Sequence, residues 1–149
     1  MKIKKYALGI LACLSVMCMC ACTSKANKYD EYHKEVNMLY EQIVTAGAII
    51  DTIDTEHEDY RKELYDSLDD LQTAFDDFAK VDPPKEFKDC KMLSEKASAY
   101  IANSSACFHY ALDEEYNEEM FNAGVSNFNE AIKCINYMGD VLQKKQSNN

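Results

Sequence analysis

The sequence predicts an all-α protein, folded as an antiparallel up-down-up-down four-helix bundle. Three observations lead to this prediction. The 149 residues include only four glycines and two prolines, which are too few turn residues for a many-stranded β-fold. Apolar residues recur at alternating steps of three and four along four segments, which is the period of an amphipathic α-helix. The connections between these segments are short, so that neighbouring helices run antiparallel.

The first two helices carry the most regular apolar patterns. The first helix shows an unbroken seam of Tyr29, Tyr32, Val36, Leu39, Ile43, Ala46, Ile50 and Ile53. The second helix is predicted to begin at Thr55, because Thr55-Glu56-His57-Glu58 has the spacing of a capping box that satisfies free backbone N–H groups. Its seam consists of Leu64, Leu68, Leu71, Phe75 and Phe78.

Two breaks separate the remaining helices. Asp82-Pro83-Pro84 ends the second helix, since proline cannot continue the hydrogen-bond ladder, and the same prolines suit the start of the next helix. The third seam is smaller and more polar, with Phe87, Cys90, Leu93, Ala97, Tyr100, Ser104, Cys107 and Ala111. We expect a second break at Asp113–Asn117, where either terminal residue of that range can cap a helix. The fourth seam is Phe121, Gly124, Phe128, Ala131, Ile135, Met138 and Leu142.

Residues 1–21 have the layout of a cleaved signal peptide that precedes the bundle. Three lysines at positions 2, 4 and 5 are followed by an uncharged run from Tyr6 to Ala21, which is the order of the n-region and h-region. A membrane-spanning helix needs roughly 20 apolar residues, and this run is shorter. The predicted organisation is therefore a signal peptide at 1–21, a tether at 22–28, the bundle at 29–143 and a disordered tail at 144–149.

The end of the leader is the most specific motif in the chain. Met19-Cys20-Ala21-Cys22 places a small residue directly before a cysteine, and a polar segment follows. This motif resembles a bacterial lipobox, although Met19 stands where leucine is common. The resemblance implies cleavage between Ala21 and Cys22 and a diacylglyceryl group on the sulfur of Cys22. Two acyl chains suffice for stable attachment. The alternative is an ordinary secretory signal whose cysteines are incidental.

Taken with the bundle, this motif makes the chain similar to the small helical-bundle lipoproteins of bacteria. The resemblance implies a location at the extracytoplasmic face of the cell membrane, or at the outer membrane if the organism has one. It also implies a membrane partner, through the diacylglyceryl anchor. The formal net charge of -10 argues against nucleic acid as a partner, because phosphate binding needs clustered lysine and arginine.

The predicted topology separates the charges along the bundle. The anchor, the double-proline turn and the C-terminus share one end, which we call the anchor end, and the turns near Asp54 and Asp113 share the other. Of the basic residues beyond the leader, only Arg61 and Lys62 fall in the half away from the anchor. We name the acids of the two distal turns the acidic tip: Asp51, Asp54, Glu56, Glu58, Asp59, Asp113, Glu114, Glu115, Glu118 and Glu119.

The acidic tip admits three interpretations. It can attract a basic protein or envelope partner, or it can bind divalent cations weakly, or it can merely place acids at helix N-termini, where the macrodipole favours them. No EF-hand loop is present. His109 and Asp113 lie four residues apart on one helix face and form either a two-ligand site or a simple contact.

The sequence offers little for catalysis, and we predict neither an enzyme nor a cofactor or metal. Cys90, Cys107 and Cys134 remain beyond the leader and are expected to be buried, inert thiols. An enzyme would require a polar pocket between helices three and four, around Ser104, Ser105 and His109. The prediction is a non-enzymatic, membrane-anchored binding module that uses its tip or a groove along the weak third seam. The alternative is a divalent-cation-binding lipoprotein.

Overall fold

The computed structural model describes residues 26–52, 58–113 and 115–146, and these residues form four α-helices. The helices are α1 (Ala26–Thr52), α2 (Glu58–Lys80), α3 (Cys90–Leu112) and α4 (Glu118–Gln146). A short 3₁₀ helix at Lys85–Phe87 lies between α2 and α3. Within these ranges the chain contains no β-strand. The predicted all-α fold is confirmed.

Contacts at the two ends of the helices establish the up-down-up-down order. Each helix packs against the next one in the chain, and α1 also packs against α4. At one end, the Tyr29 hydroxyl donates to the Leu142 carbonyl at 3.3 Å, and the Tyr29 ring lies 5.4 Å from the Phe87 ring. At the other end, Arg61 near the start of α2 donates to the carbonyl of Leu112, the last residue of α3, at 3.2 Å.

The core confirms three of the four predicted seams. Every seam residue of α1 from Tyr32 to Ile50 is buried, and so are all five seam residues of α2. The seven predicted seam residues of α4, from Phe121 to Leu142, are buried as well. Tyr29 is half-buried, and Ile53 lies outside the described residues. Large apolar side chains at steps of three and four were therefore enough to identify these three faces.

The seam of α3 was predicted only in part: Cys90, Ala97, Ser104 and Ala111 are buried as expected, but three other predicted positions are not. Leu93, Tyr100 and Cys107 are only half-buried, whereas the buried residues are Cys90, Ser94, Ala97, Ile101, Ser104, Ser105, Phe108, Ala111 and Leu112. The inward stripe thus passes through the serines and is centred one residue further along. Serines fit there because their hydroxyls find acceptors: Ser94 donates to the Lys91 carbonyl and Ser104 to the Gly124 carbonyl, both at 2.8 Å.

A close interhelical contact joins α3 and α4 at Gly124. A Cβ atom built at this position would lie 3.1 Å from the Phe108 ring, closer than ordinary van der Waals contact. Phe108 is fully buried and packs edge-on against Phe121 at 5.1 Å. Since the Ser104 hydroxyl also donates to the Gly124 carbonyl, the missing side chain of Gly124 is what allows these two helices to approach.

The helix boundaries differ from prediction at the outer ends. Helix α1 begins at Ala26, inside the predicted tether, and α4 continues to Gln146, inside the predicted disordered tail. Both extensions consist mostly of alanine, lysine and glutamine, which favour helix, and neither contains a glycine or proline to stop it. Asn117 caps α4 as expected, since its Oδ1 accepts the Met120 N–H at 3.0 Å. The capping box at Thr55 lies outside the described residues.

The two helical glycines of α4 provide a matched test of this packing. Nothing lies within 4 Å of a Cβ built at Gly139, so Gly139→Ala should stabilise the fold by about 0.5–1 kcal/mol through helix propensity alone. Gly124→Ala should destabilise it by about 1–3 kcal/mol, because the buried Phe108 ring must move. Urea unfolding followed by circular dichroism measures both changes. A gain at Gly124 equal to that at Gly139 would contradict the close approach of α3 and α4.

Candidate functional site

The described members of the acidic tip lie at one end of the bundle, as predicted. Asp51 is near the end of α1, Asp59 is near the start of α2, and Asp113 follows α3; the others are Glu115, Glu118 and Glu119, at or before the start of α4, and all six are exposed. Glu58 opens α2. Asp54, Glu56 and Glu114 lie outside the described residues. The tip therefore draws its carboxylates from all four helix ends.

One pair of tip acids, Asp59 and Asp113, shares a cavity between the start of α2 and the end of α3. The cavity has a volume of about 390 Å³, and its lining also contains Arg61, Lys62, Tyr65, Asp66 and Leu112. Lys62 forms a salt bridge with Asp66 along α2, while Arg61 donates to the Leu112 carbonyl. The two basic residues of the distal half thus lie beside the acids, and the charge of the tip is mixed at this point.

A polar network spans α2 and α3 next to this cavity. The rings of Tyr65 and His109 are stacked with their centroids 4.0 Å apart. His109 Nε2 lies 3.6 Å from Asp69 Oδ1, and the Tyr65 hydroxyl donates to Asp113 Oδ1 at 3.1 Å. His109 therefore faces α2, and Tyr65 contacts both members of the predicted His109 and Asp113 pair, stacking on the first and donating to the second. Tyr65 and Asp69 are four residues apart on one face of α2, a spacing that could have identified this network.

Burial raises the pKa of Tyr65 to about 12, and its hydrogen bond to the charged Asp113 carboxylate adds to this effect. The positive charge of Arg61 acts in the opposite direction. The Tyr65 hydroxyl consequently keeps its proton and remains a hydrogen-bond donor at every physiological pH. It holds the end of α3 to α2, which makes the network a structural feature of the tip.

The residues that an enzyme would have required all lie on α3, but Ser104 and His109 face different neighbouring helices. The Ser104 hydroxyl is directed at the Gly124 carbonyl of α4, whereas the His109 ring stacks on Tyr65 of α2. Across the described ranges, no three histidine, cysteine, aspartate or glutamate side chains lie close enough to hold a metal ion together.

The three cysteines beyond the leader are free thiols with different environments. Cys90 is fully buried, as predicted, but Cys107 and Cys134 are only half-buried. Desolvation raises the pKa of Cys134, outweighing the nearby positive charge of Lys96. A raised pKa keeps the thiol protonated and unreactive. The expectation that all three would be buried was wrong for Cys107 and Cys134, because α3 turns its serine-containing stripe inward and α4 leaves Cys134 at the edge of its core face.

A second concave surface lies between α1 and α2. This α1–α2 groove has a volume of about 580 Å³ and is lined by Met38, Glu41, Gln42, Thr45, Ile49, Glu63, Asp66, Ser67, Asp70 and Leu71. The sequence had suggested a groove along the weak third seam instead. That seam is covered by α2 and α4, whereas α1 and α2 leave space between half-exposed side chains.

The Tyr65 network makes a testable contribution to alkaline stability. Because the folded protein keeps the Tyr65 proton beyond the ordinary pKa of 10.0, its contribution is complete below pH 10 and is lost as the pH rises to about 12. In a spectrophotometric titration of tyrosinate, Tyr65→Phe should remove one late-titrating group. Burial also raises the pKa of Tyr29 and Tyr32, so part of the late signal remains.

Tyr110→Phe is the matched control for this titration, because Tyr110 is 66% exposed on the neighbouring helix α3. The control accounts for the loss of one tyrosine from the total absorbance change. A Tyr65→Phe variant that titrates like the unaltered protein would show that Tyr65 is not held by Asp113.

Comparison with known proteins identifies the family of the chain. None of the described helices combines the length and apolar character needed to span a bilayer. No curated protein and no solved structure matches the sequence significantly. A family model described as a domain of unknown function (DUF7018) matches residues 25–136, a range that includes α1, α2, α3 and most of α4. The chain therefore belongs to the DUF7018 family.

Proposed function

We propose that this protein is a membrane-anchored surface lipoprotein that acts as a non-enzymatic binding module. The observation that carries the proposal is the leader, in which a lysine-bearing segment and an uncharged run end at Ala21-Cys22. A diacylglyceryl thioether on Cys22 would attach the chain to the outer face of a membrane. Such an anchor fits the absence of a spanning helix among the described residues.

The distribution of charge supports this orientation. Helix α1 begins four residues after Cys22, and its start lies beside the end of α4 and the α2–α3 connection. Exposed lysines surround this end, at positions 28, 80, 85, 88 and 144. A lysine near anionic lipid contributes about 1 kcal/mol of attraction. An anchor at Cys22 would therefore turn the end of the bundle that carries most of the lysines toward the bilayer and the acidic tip away from it.

The acidic tip supports a role in binding a partner away from the membrane. Its described carboxylates are exposed and come from every helix end at that pole. Opposite charge accelerates the encounter of two proteins and selects the orientation in which they meet. A basic protein or envelope component outside the membrane is the partner that this surface favours.

Replacement of Cys22 tests the anchor. We expect Cys22→Ala to abolish acylation and cleavage, because the thiolate that accepts the diacylglyceryl group is lost, and intact-mass spectrometry of the chain from the producing cells measures both. Cys20→Ala is the matched control and should leave the product acylated at Cys22. If the mature protein from these cells is unmodified, or if its first residue is not Cys22, the anchor is refuted.

A cation titration separates partner binding from the alternative role in holding divalent ions. The described carboxylates do not gather into groups of three, so calcium or zinc should raise Tm by no more than about 1 °C. A dedicated site filled at 100 times its Kd would add about 2.7 kcal/mol, which amounts to several degrees. Differential scanning calorimetry with magnesium as the reference ion measures the shift. A shift of several degrees would favour the cation-binding alternative.

A further inference from the structure

The α1–α2 groove has the dimensions of a site for a short helix. One wall runs along α1 from Met38 to Ile49, and the other runs along α2 from Glu63 to Leu71. Eleven residue steps along α1 correspond to about 16 Å at 1.5 Å per residue. Three turns of a partner helix fit this length.

Apolar atoms form the interior of the groove. Leu71 is buried at its base, Ile49 is half-buried, and Met38 is 44% exposed at the end nearer the anchor. Methionine is flexible and polarisable, so it adapts to different apolar partners. The groove thus exposes an apolar strip that the bundle itself does not cover.

Carboxylates stand on both banks of this strip. Glu41 projects from α1, while Glu63, Asp66 and Asp70 follow one another along α2. Among the residues that the structure describes, Lys62 pairs with Asp66. For the other three acids, the described residues place no cation within salt-bridge distance. An apolar floor between acidic banks is complementary to a helix whose apolar stripe is flanked by lysine or arginine.

We infer that the α1–α2 groove is the docking site for a basic amphipathic helix of a partner protein. A helix is favoured over an extended strand, because the groove lies between two helices and presents side chains rather than a free sheet edge. A protein is favoured over an anionic membrane, which the acidic banks would repel. The inference deepens the proposed binding role and rests on it, but it does not depend on acylation of Cys22.

A synthetic peptide tests this inference. The probe is a helical peptide of about 15 residues, long enough for the groove at 1.5 Å per residue, with leucines at steps of three and four and lysines elsewhere. The protein is purified from the producing cells in nonionic detergent. Its binding to the labelled peptide is measured by fluorescence anisotropy, with protein-free micelles as the baseline. The triple variant Glu41→Gln, Glu63→Gln, Asp70→Asn should bind about tenfold more weakly.

Two matched controls separate the groove from general acidity. The variant Glu35→Gln, Glu95→Gln, Asp140→Asn changes the net charge equally at exposed positions outside the groove lining, and it should change the affinity less than twofold. Met38→Gln should weaken binding severalfold, whereas Met92→Gln, at a methionine 56% exposed outside that lining, should not. All four variants should keep the circular dichroism of the unaltered chain, since every site is at the surface.

Three results would overturn the inference. Equal losses in the two triple variants would mean that the peptide responds to overall charge. Undiminished binding by the groove variants would move the binding role to another surface, such as the acidic tip, without refuting that role. Concentration-dependent dimerisation that the groove variants abolish would identify a second copy of this chain as the occupant. Loss of the Cys22 anchor would leave the peptide titration unchanged, so the two proposals fail separately.

Discussion

Four amphipathic helices can remove their apolar seams from water only by facing one another, and the other features of this protein follow from that constraint. With short connections, the helices must alternate in direction and close into a ring in which α1 meets α4. The order of the helices in this ring determines at which end of the bundle each charged residue lies. It also determines which side chains from distant parts of the sequence become neighbours. Tyr29 reaches Leu142, and Arg61 reaches Leu112, because the seams bring them there.

The extent to which the sequence predicts this arrangement depends on the chemistry of each seam. In α1, α2 and α4, large apolar residues recur so regularly that their inward faces follow from spacing alone. Helix α3 differs because Ser94, Ser104 and Ser105 occupy inward positions, and the hydroxyls of Ser94 and Ser104 donate to backbone carbonyls. A buried serine such as Ser94 is indistinguishable from a surface serine until its acceptor is known, and the prediction therefore placed Leu93 on the inward face instead of Ser94.

In the candidate site, too, features set by local sequence were predictable, whereas contacts between residues far apart in the chain were not. The acids of the two distal turns lie at the same end of the bundle because of the order of the helices, and this was predictable. The contacts of His109 were not, because its partners Tyr65 and Asp69 lie about 40 residues away along the chain and are selected by the rotation of α2 against α3. The α1–α2 groove was missed for a related reason. Its position depends on how far α1 stands from α2, a distance that no helical period encodes.

The even number of helices has a mechanical consequence. Since the start of α1 and the end of α4 lie together, the described helices enter and leave the bundle at one pole, and a load applied at the opposite pole is carried back along the helices. If the start of α1 is tethered, that load pulls along the helix axes and shears the seams lengthwise instead of peeling one helix from the ring. Shear opposes many side-chain contacts at once, so the geometry resists extension even though each apolar contact is individually weak.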